Sequence, residues 1–473
     1  MRSDKGLRVW AALLIVVGGS RGAGAQQPAP TPEQRPVAVA PPPSPVPLAT
    51  PPSPVPLAMN GKLANWLQLR GEFRARTEGF NGGGFSSDND DAYWMDRFRL
   101  NATVRPSSSL IFFVQAQDAR AFNKTTGARA APFRDTIDLH QAYGESAIGS
   151  KAVVRIGRQE LAFGEQRLIG SLVWANVART FDGGRVTLKR RFGQLDAFAV
   201  SVVTITPGSF DKSGNGNALY GTYESLTGII PKQTIEPYFL WRQSTNVATK
   251  AGGLASLHQA TTGVRVAGRL PAAFDYSSEL AMQRGSAGAE DVRAWAGHAV
   301  LGRSFAAALT PRVFGEFNYA SGDTSPAGGP RGTFDPLYPT GHDKLGLADQ
   351  VGWRNIKHAR AGLEVKPAPN WQVAGSFHDY WLASATDGLY AASGARIARA
   401  ATGTAGTHVG REVDLQTTFV YSAQLQIAAG YAYLVPGEFL KNTTAGHGYS
   451  YPFAMATYVF LGESPTIGGR KAK

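Results

Sequence analysis

The chain has 473 residues, with Lys+Arg 48 against Asp+Glu 35 and a formal net charge of +13. Charged residues make up 18%, Gly is 55 and cysteine is absent; a soluble multi-domain enzyme averages ~25% charged. These numbers exclude a disulfide framework, a thiolate-ligated metal or iron–sulfur site, a cysteine nucleophile and a lipidated cysteine, while the positive balance alone fits nucleic acid, anionic lipid or an acidic substrate equally.

Residues 1–25 have the layout of a secretory signal peptide. Arg2, Lys5 and Arg8 precede an apolar run from Val9 to Val17, and Ala23-Gly24-Ala25 offers small residues before a cut at Gln26. The run is too short to span a bilayer, which takes about 20 residues. Residues 26–58 are rich in proline, and Pro42–Ala49 recurs as Pro51–Ala58. Such a segment is extended and packs no core, and it reads as a disordered linker. No later apolar run is long enough for a transmembrane helix, so an exported chain of this kind is secreted, periplasmic or a membrane β-barrel.

From Asn65 onward the hydrophobic period is two. Along Trp66–Glu78, Leu67, Leu69, Gly71, Phe73 and Ala75 share one face, and Gln68, Arg70, Glu72, Arg74 and Arg76 the other. Trp94–Arg105 sets Phe98, Leu100, Ala102 and Val104 against Arg97, Arg99, Asn101, Thr103 and Arg105. Alternation of this sort puts successive side chains on opposite faces of a strand; helical spacing would scatter both sets. Further strands are predicted at 109–118, 136–147, 151–159, 183–192, 194–204, 217–227, 234–245, 260–269, 274–284, 291–303, 311–320, 356–366, 370–382, 408–421, 423–434 and 450–461, about eighteen in all. Gly, Pro, Asn and Asp clusters separate them.

The predicted fold class is all-β, a transmembrane antiparallel up-and-down β-barrel over residues 59–461, followed by a basic tail at 462–473. A soluble sandwich or propeller is the alternative. Against it stand the arginine-dense polar face, which suits a water-filled lumen, and the aromatics at strand ends: Trp66, Tyr93, Trp94, Trp241, Trp371, Tyr380, Trp381 and Tyr451. Membrane barrels carry such rings at headgroup level, and hydrocarbon demands closure because an open edge leaves backbone groups unpaired.

The run Gly157-Arg158-Gln159-Glu160-Leu161-Ala162-Phe163-Gly164-Glu165-Gln166-Arg167-Leu168-Ile169-Gly170 continues through Trp174-Ala175-Asn176 to Arg179-Thr180-Phe181-Asp182-Gly183. It resembles the signature region of the alginate export family, outer-membrane barrels of Gram-negative bacteria. Asp335-Pro336-Leu337-Tyr338-Pro339-Thr340-Gly341-His342, followed by Leu347-Ala348-Asp349-Gln350 and Asn355, is similar to a late loop of that family. The resemblance covers residues from about 62 to 461. It implies an eighteen-stranded barrel with an arginine-rich, electropositive lumen passing an anionic, alginate-like polysaccharide, with some arginines paired to acidic residues. Within the motif, Arg158 is the residue it places in the lumen; the arginines of the first two strands rest on alternation.

The candidate pore-lining set is Arg70, Arg74, Arg76, Arg97, Arg99, Arg105, Arg158 and Arg167, with Glu72, Glu160, Glu165 and Asp182 as pairing partners. A guanidinium stays charged at physiological pH and forks onto carboxylates, so the set would concentrate polyanions and repel cations. The bland reading is that the pairs only stabilise the barrel interior. Two long connections stand out: 320–355, expected to fold inward and constrict the bore, and 384–407, expected as an extracellular loop with Arg396 and Arg399 facing anionic sugars.

Other motifs lead nowhere. Gly18–Gly22 matches a nucleophile elbow but lies in the signal peptide, and phosphate-loop and metal-helix motifs are absent. Ser87-Asp88-Asn89-Asp90-Asp91 reads as a solvated acidic loop rather than a calcium site. The alternating arginines do not form a nucleic-acid-binding patch. No metal, cofactor or enzyme activity is expected. The expected partners are outer-membrane lipid, an anionic polysaccharide or smaller anionic solute, and periplasmic export proteins around a monomer. A barrel enzyme and a structural or adhesive surface barrel remain the other two classes.

Overall fold

The computed structural model describes residues 63–460 apart from 126, 129 and 326. The expected signal peptide (1–25), linker (26–58) and basic tail (462–473) lie outside the described residues. The barrel begins with β1 (Leu67–Asn81), β2 (Asp90–Val104), β3 (Leu110–Phe122), β4 (Asp135–Ile148), β5 (Ala152–Gln159) and β6 (Phe181–Arg190). It continues with β7 (Gly193–Thr204), β8 (Lys212–Thr227), β9 (Gln233–Ala248), β10 (Leu254–Leu270), β11 (Phe274–Ala287) and β12 (Glu290–Ser304). After β13 (Arg312–Ala320), β14 (Ile356–Ala368) and β15 (Trp371–Leu382) comes a small hairpin, β16 (Gly388–Tyr390) and β17 (Arg396–Arg399). The wall finishes with β18 (His408–Val420), β19 (Leu425–Pro436), the short helix α1 (Glu438–Thr443) and β20 (Tyr449–Phe460).

Every wall strand pairs antiparallel with its neighbours in sequence, the hairpin aside, giving an 18-stranded sheet. It closes where β1 meets β20, from Gly71 opposite Phe460 to Asn81 opposite Ser450. Closure satisfies every strand edge, which is what hydrocarbon requires of a sheet. All eighteen expected strands are present.

Burial is inverted relative to a soluble protein. On β1 the outward Phe73 is 40% exposed, whereas the inward Arg74 beside it is 5% exposed. Outward Phe98, Leu100, Val114, Ile156, Leu280, Leu301 and Phe317 form the exposed apolar band; inward Glu72, Arg97, Arg99, Gln115, Gln117 and Glu316 are buried. Trp66, Trp94 and Trp371 stand on the outer surface as a belt requires. Tyr93, Tyr380 and Tyr451 correct the expectation: period two turns them inward, where they are buried. Tyr93 donates to Glu78 (2.6 Å) and Tyr380 to the Leu345 carbonyl (2.8 Å).

The ends of the barrel differ. Short turns such as 149–151, 191–192 and 369–370 share one end with both described termini, and long connections occupy the other. In membrane barrels the short turns face the periplasm and the long loops the exterior. Three long connections, 160–180, 321–355 and 383–407, pack inward as one apolar core: Leu161, Ile169, Phe334, Trp353 and Leu389 are buried with Leu434 and Phe453 of the wall. The inward fold of 320–355 matches the sequence expectation. The 384–407 segment differs: its hairpin packs on that core, with Gly352 N donating to the Tyr390 carbonyl (2.7 Å), although Arg396 and Arg399 stay exposed.

Two glycines of the signature segment answer to this geometry. Gly157 and Gly183 are register partners on β5 and β6, with φ of 129° and 152°. A Cβ on Gly157 would stand 2.3 Å from the Ala142 carbonyl oxygen, and one on Gly183 2.2 Å from that of Ala199. Only glycine fits where the backbone is both left-handed and pressed against a neighbouring strand.

Leu280 sits midway along β11, outward, opposite Val264 and Gly297. Leu280→Arg is expected to cost about 2–4 kcal/mol in folding into phospholipid vesicles, read from urea titrations. A loss below about 0.5 kcal/mol would mean that this face does not meet hydrocarbon.

Candidate functional site

The arginines of β1 and β2 project into the lumen as alternation requires, and the 160–180 connection lies across them. Arg74 donates through Nη1 to the Val173 carbonyl (2.8 Å) and through Nη2 to the Ala175 carbonyl (2.8 Å) and Asn176 Oδ1 (3.3 Å). Arg97 reaches Val173 O (3.2 Å) and Glu72 Oε1 (2.6 Å). Arg76 bonds the Trp174 carbonyl, pairs with Glu78 (2.9 Å), and lies over the Trp174 ring at 4.3 Å. The opposite register of Arg74 and Arg97 on adjacent strands places two like charges side by side; such a cross-strand pair is unfavourable alone and here is bridged by shared carbonyls.

The other members of the predicted set fall into four groups. Arg99 donates to Gln117 (2.8 Å) and lies 3.7 Å from Glu160, which also contacts His140 (3.0 Å). Arg70 and Arg105 stand nearer the short-turn end, half-buried; Arg105 bonds Gln68. Arg158 and Asp182 form a forked pair on β5 and β6 at 2.8 and 3.1 Å, where the resemblance predicts an inward arginine. Arg167 and Glu165 are fully interior: Arg167 pairs with Glu316 (2.8 Å) and Glu165 (3.2 Å), and Glu165 also with Arg265 (3.1 Å).

Sequence reading missed residues that anchor the inward loops. Asp335 is held by Arg242 and by Arg354 (2.6 Å), and its main-chain N–H donates to Gln283 Oε1 (2.9 Å). Asn176 turns its amide onto the carbonyls of Asp96, Arg120 and Phe133. Thr340 accepts the Leu172 N–H (2.9 Å), and Tyr338 exchanges main-chain bonds with Leu168 and Gly170 (both 2.9 Å). All four lie inside the two motif stretches, so the signal was present as a motif but not as a contact.

The loop anchors are acids held ionised. Burial alone would raise the Glu165 carboxyl; His298, Arg265 and Arg167 outweigh it and hold the group well below the usual carboxylate range. Burial likewise opposes Asp335, and Arg242 and Arg354 hold it low. A depressed carboxylate stabilises the fold at every pH above its unfolded value, and that contribution is lost as pH falls through the lower folded value. These pairs therefore help to hold the loops at neutral pH, and their contribution is lost in strong acid.

These features match known proteins. A family model described as alginate export matches residues 65–451. Among curated proteins none matches. OccAB2 of Acinetobacter baumannii superposes with a TM-score of 0.56 at 13% identity, covering 83% of this chain and 98% of that one. OpdK of Pseudomonas aeruginosa, solved with vanillate, gives 0.56 at 11% over 83% and 98%. A BenF-like porin from Pseudomonas fluorescens Pf-5 gives 0.57 at 9% over 83% and 98%. At these identities the structures show a shared fold.

In a planar bilayer, wild-type conductance is expected to hold steady from pH 7 down to about 4, the ordinary carboxylate range, and to rise below it. Asp335→Asn should give the larger conductance already at pH 7, and deletion of 322–352 a larger increase still. Unchanged conductance in both variants would show that these loops do not restrict the bore.

Proposed function

We propose that this chain, which belongs to the alginate export family and is an outer-membrane channel, selects anionic solutes: a uronate-rich polysaccharide of alginate type, or smaller carboxylates. One observation carries the reading. Arg74 is held by two carbonyls and an amide oxygen rather than by a carboxylate. Its contacts fix the guanidinium without cancelling its charge. Around it, Arg70, Arg76, Arg97, Arg99 and Arg105 face Glu72, Glu78 and Glu160, so this sector of the wall retains a positive excess.

A fixed cationic wall beside a narrow passage raises the local concentration of anions and excludes cations. The partial pairing matters as much as the excess. Glu72 against Arg97 and Glu160 against Arg99 compete with a passing carboxylate, and transport needs binding weak enough to release. Buried beneath the 172–176 segment, Arg74, Arg76 and Arg97 act on a uronate chain through their field and not by direct contact. The vanillate complex of OpdK favours smaller carboxylates as the second reading, since vanillate is itself a carboxylate. Non-enzymatic passage is the accompanying part of the proposal, as is outer-membrane residence of a monomer with periplasmic partners.

Reversal potentials under a KCl gradient test the reading. Wild type should prefer chloride, and replacing Arg74, Arg97 and Arg99 together by Glu should abolish or invert that preference. Oligouronate added to one chamber should block the wild-type current at concentrations where neutral dextran does not, and small carboxylates alone doing so would select the second reading. A triple variant as anion-selective as wild type would sink the proposal.

A further inference from the structure

Away from the arginine wall, three aspartates meet where the chain has gone to structural trouble to assemble them. In a regular strand, residues three apart point to opposite faces. Asp135 and Asp138 of β4 are nevertheless both buried. The pairing of β4 with β3 slips twice, between Gln115 and Ala116 and between Gln117 and Ala119. Ile137, between the two acids, takes φ 47° and turns its side chain outward. Bulges of this kind re-aim side chains. The third acid, Asp211, comes from the connection before β8: its N–H donates to Asp138 Oδ2 (2.6 Å), and its Oδ1 accepts from Thr206 N (2.7 Å). One oxygen from each acid lies within 4.8 Å of the others.

A second observation concerns what these oxygens lack. Asp135 is 2% exposed, and its Oδ1 has no hydrogen-bond partner among the described residues. Nearby cationic charge is already engaged. Arg158 lies 3.9 Å from Asp138 but forks onto Asp182 at 2.8 and 3.1 Å. Asp135, Asp138, Asp182 and Asp211 therefore share one guanidinium, and a buried unpaired carboxylate demands a counter-charge or a proton. In the connection, burial pushes the Asp211 carboxyl up to about 6, against the Thr206 N–H and with the help of Asp138.

We propose that Asp135, Asp138 and Asp211 form a binding site for a divalent calcium ion on the lumenal wall. The donor set is all oxygen and anionic, which suits a hard cation. Calcium accepts six to eight oxygens in adaptable geometry, so three carboxylates from two segments leave room for water, whereas magnesium demands a near-ideal octahedron. The ion would fasten the 205–211 connection to the bulged start of β4 and neutralise the carboxylate excess beside Arg158. It uses none of the β1–β2 arginines and is independent of what the channel passes.

The test uses the purified full chain in detergent, stripped with EDTA, dialysed and titrated with CaCl2 by calorimetry, with MgCl2 in parallel. Wild type should give a saturable single-site isotherm for calcium and affinity roughly tenfold or more weaker for magnesium. Asp135→Asn combined with Asp211→Asn should abolish it, and Asp291→Asn, at an exposed ion pair elsewhere on the wall, should leave it intact. Folding of each variant is checked by heat-modifiable migration. Should the double variant not fold, Asp211→Asn alone, outside the strand ladder, must lose the saturable heat. No saturable calcium binding to the stripped wild type, binding that survives Asp211→Asn, or equal affinity for magnesium would overturn the proposal.

Discussion

A closed sheet in hydrocarbon has one governing constraint: every backbone donor and acceptor is used up in the wall, and side chains alone decide what faces lipid and what faces water. Period two turns that constraint into an inversion. Phe73 and Phe98 go out to lipid, and Arg74 and Arg97 are driven into the lumen on neighbouring strands. The charge inside is thus a consequence of the fold's chemistry as much as of function, and the question becomes what holds it.

Two answers occur in different sectors. On the far side, Arg265 and Arg312 of the wall and Arg167 of the inserted 160–180 connection are met by Glu316, Glu165, Glu236, Asp275 and Glu364, an arrangement that neutralises as it fixes. Breaking such buried pairs by removing one partner costs about 3–5 kcal/mol, which makes them structural ties. On β1 and β2 the 172–176 segment supplies carbonyl oxygens to Arg74, Arg76 and Arg97. A carbonyl is a dipole, so it orients a guanidinium and leaves the monopole standing. The inward loop is in this sense part of the arginine wall: without it, like charges at Arg74 and Arg97 would repel in register.

How much of this was legible in the residues follows from the same physics. Strands could be read because hydrocarbon on one side and water on the other imprint a strict alternation, as in Trp66–Glu78. The inward tyrosines were legible by the same alternation, which puts Tyr93 on the face of Arg97 and Arg99, but grouping it with Trp94 as a strand-end ring overrode that period. The loops resisted for a different reason. Residues 160–180 carry no period, and what positions them is contact with distant groups: Gly170 with Tyr338, Asn176 with Asp96 and Phe133, Arg167 with Glu316. A motif marked where such contacts concentrate, and it did not say what they touch. The pairing of Asp135 with Asp138 was hidden more completely, since a bulge breaks the very alternation from which faces are read.

Loop packing also bears on how a channel so filled can conduct. Leu161, Ile169, Phe334 and Trp353 give the inserted loops an apolar core of their own, so the loops are rigid obstacles with defined surfaces, not chains wandering in a wide bore. Their attachments to the wall mix ion pairs and neutral hydrogen bonds: Asp335 to Arg242, Glu165 to Arg265, and Asn176 to the carbonyls of Asp96 and Arg120. Apolar contact thus holds the loops together and polar contact seats them on the wall, so loss of the Arg242 or Arg265 tie acts on the seat of a loop and leaves its packed core in place.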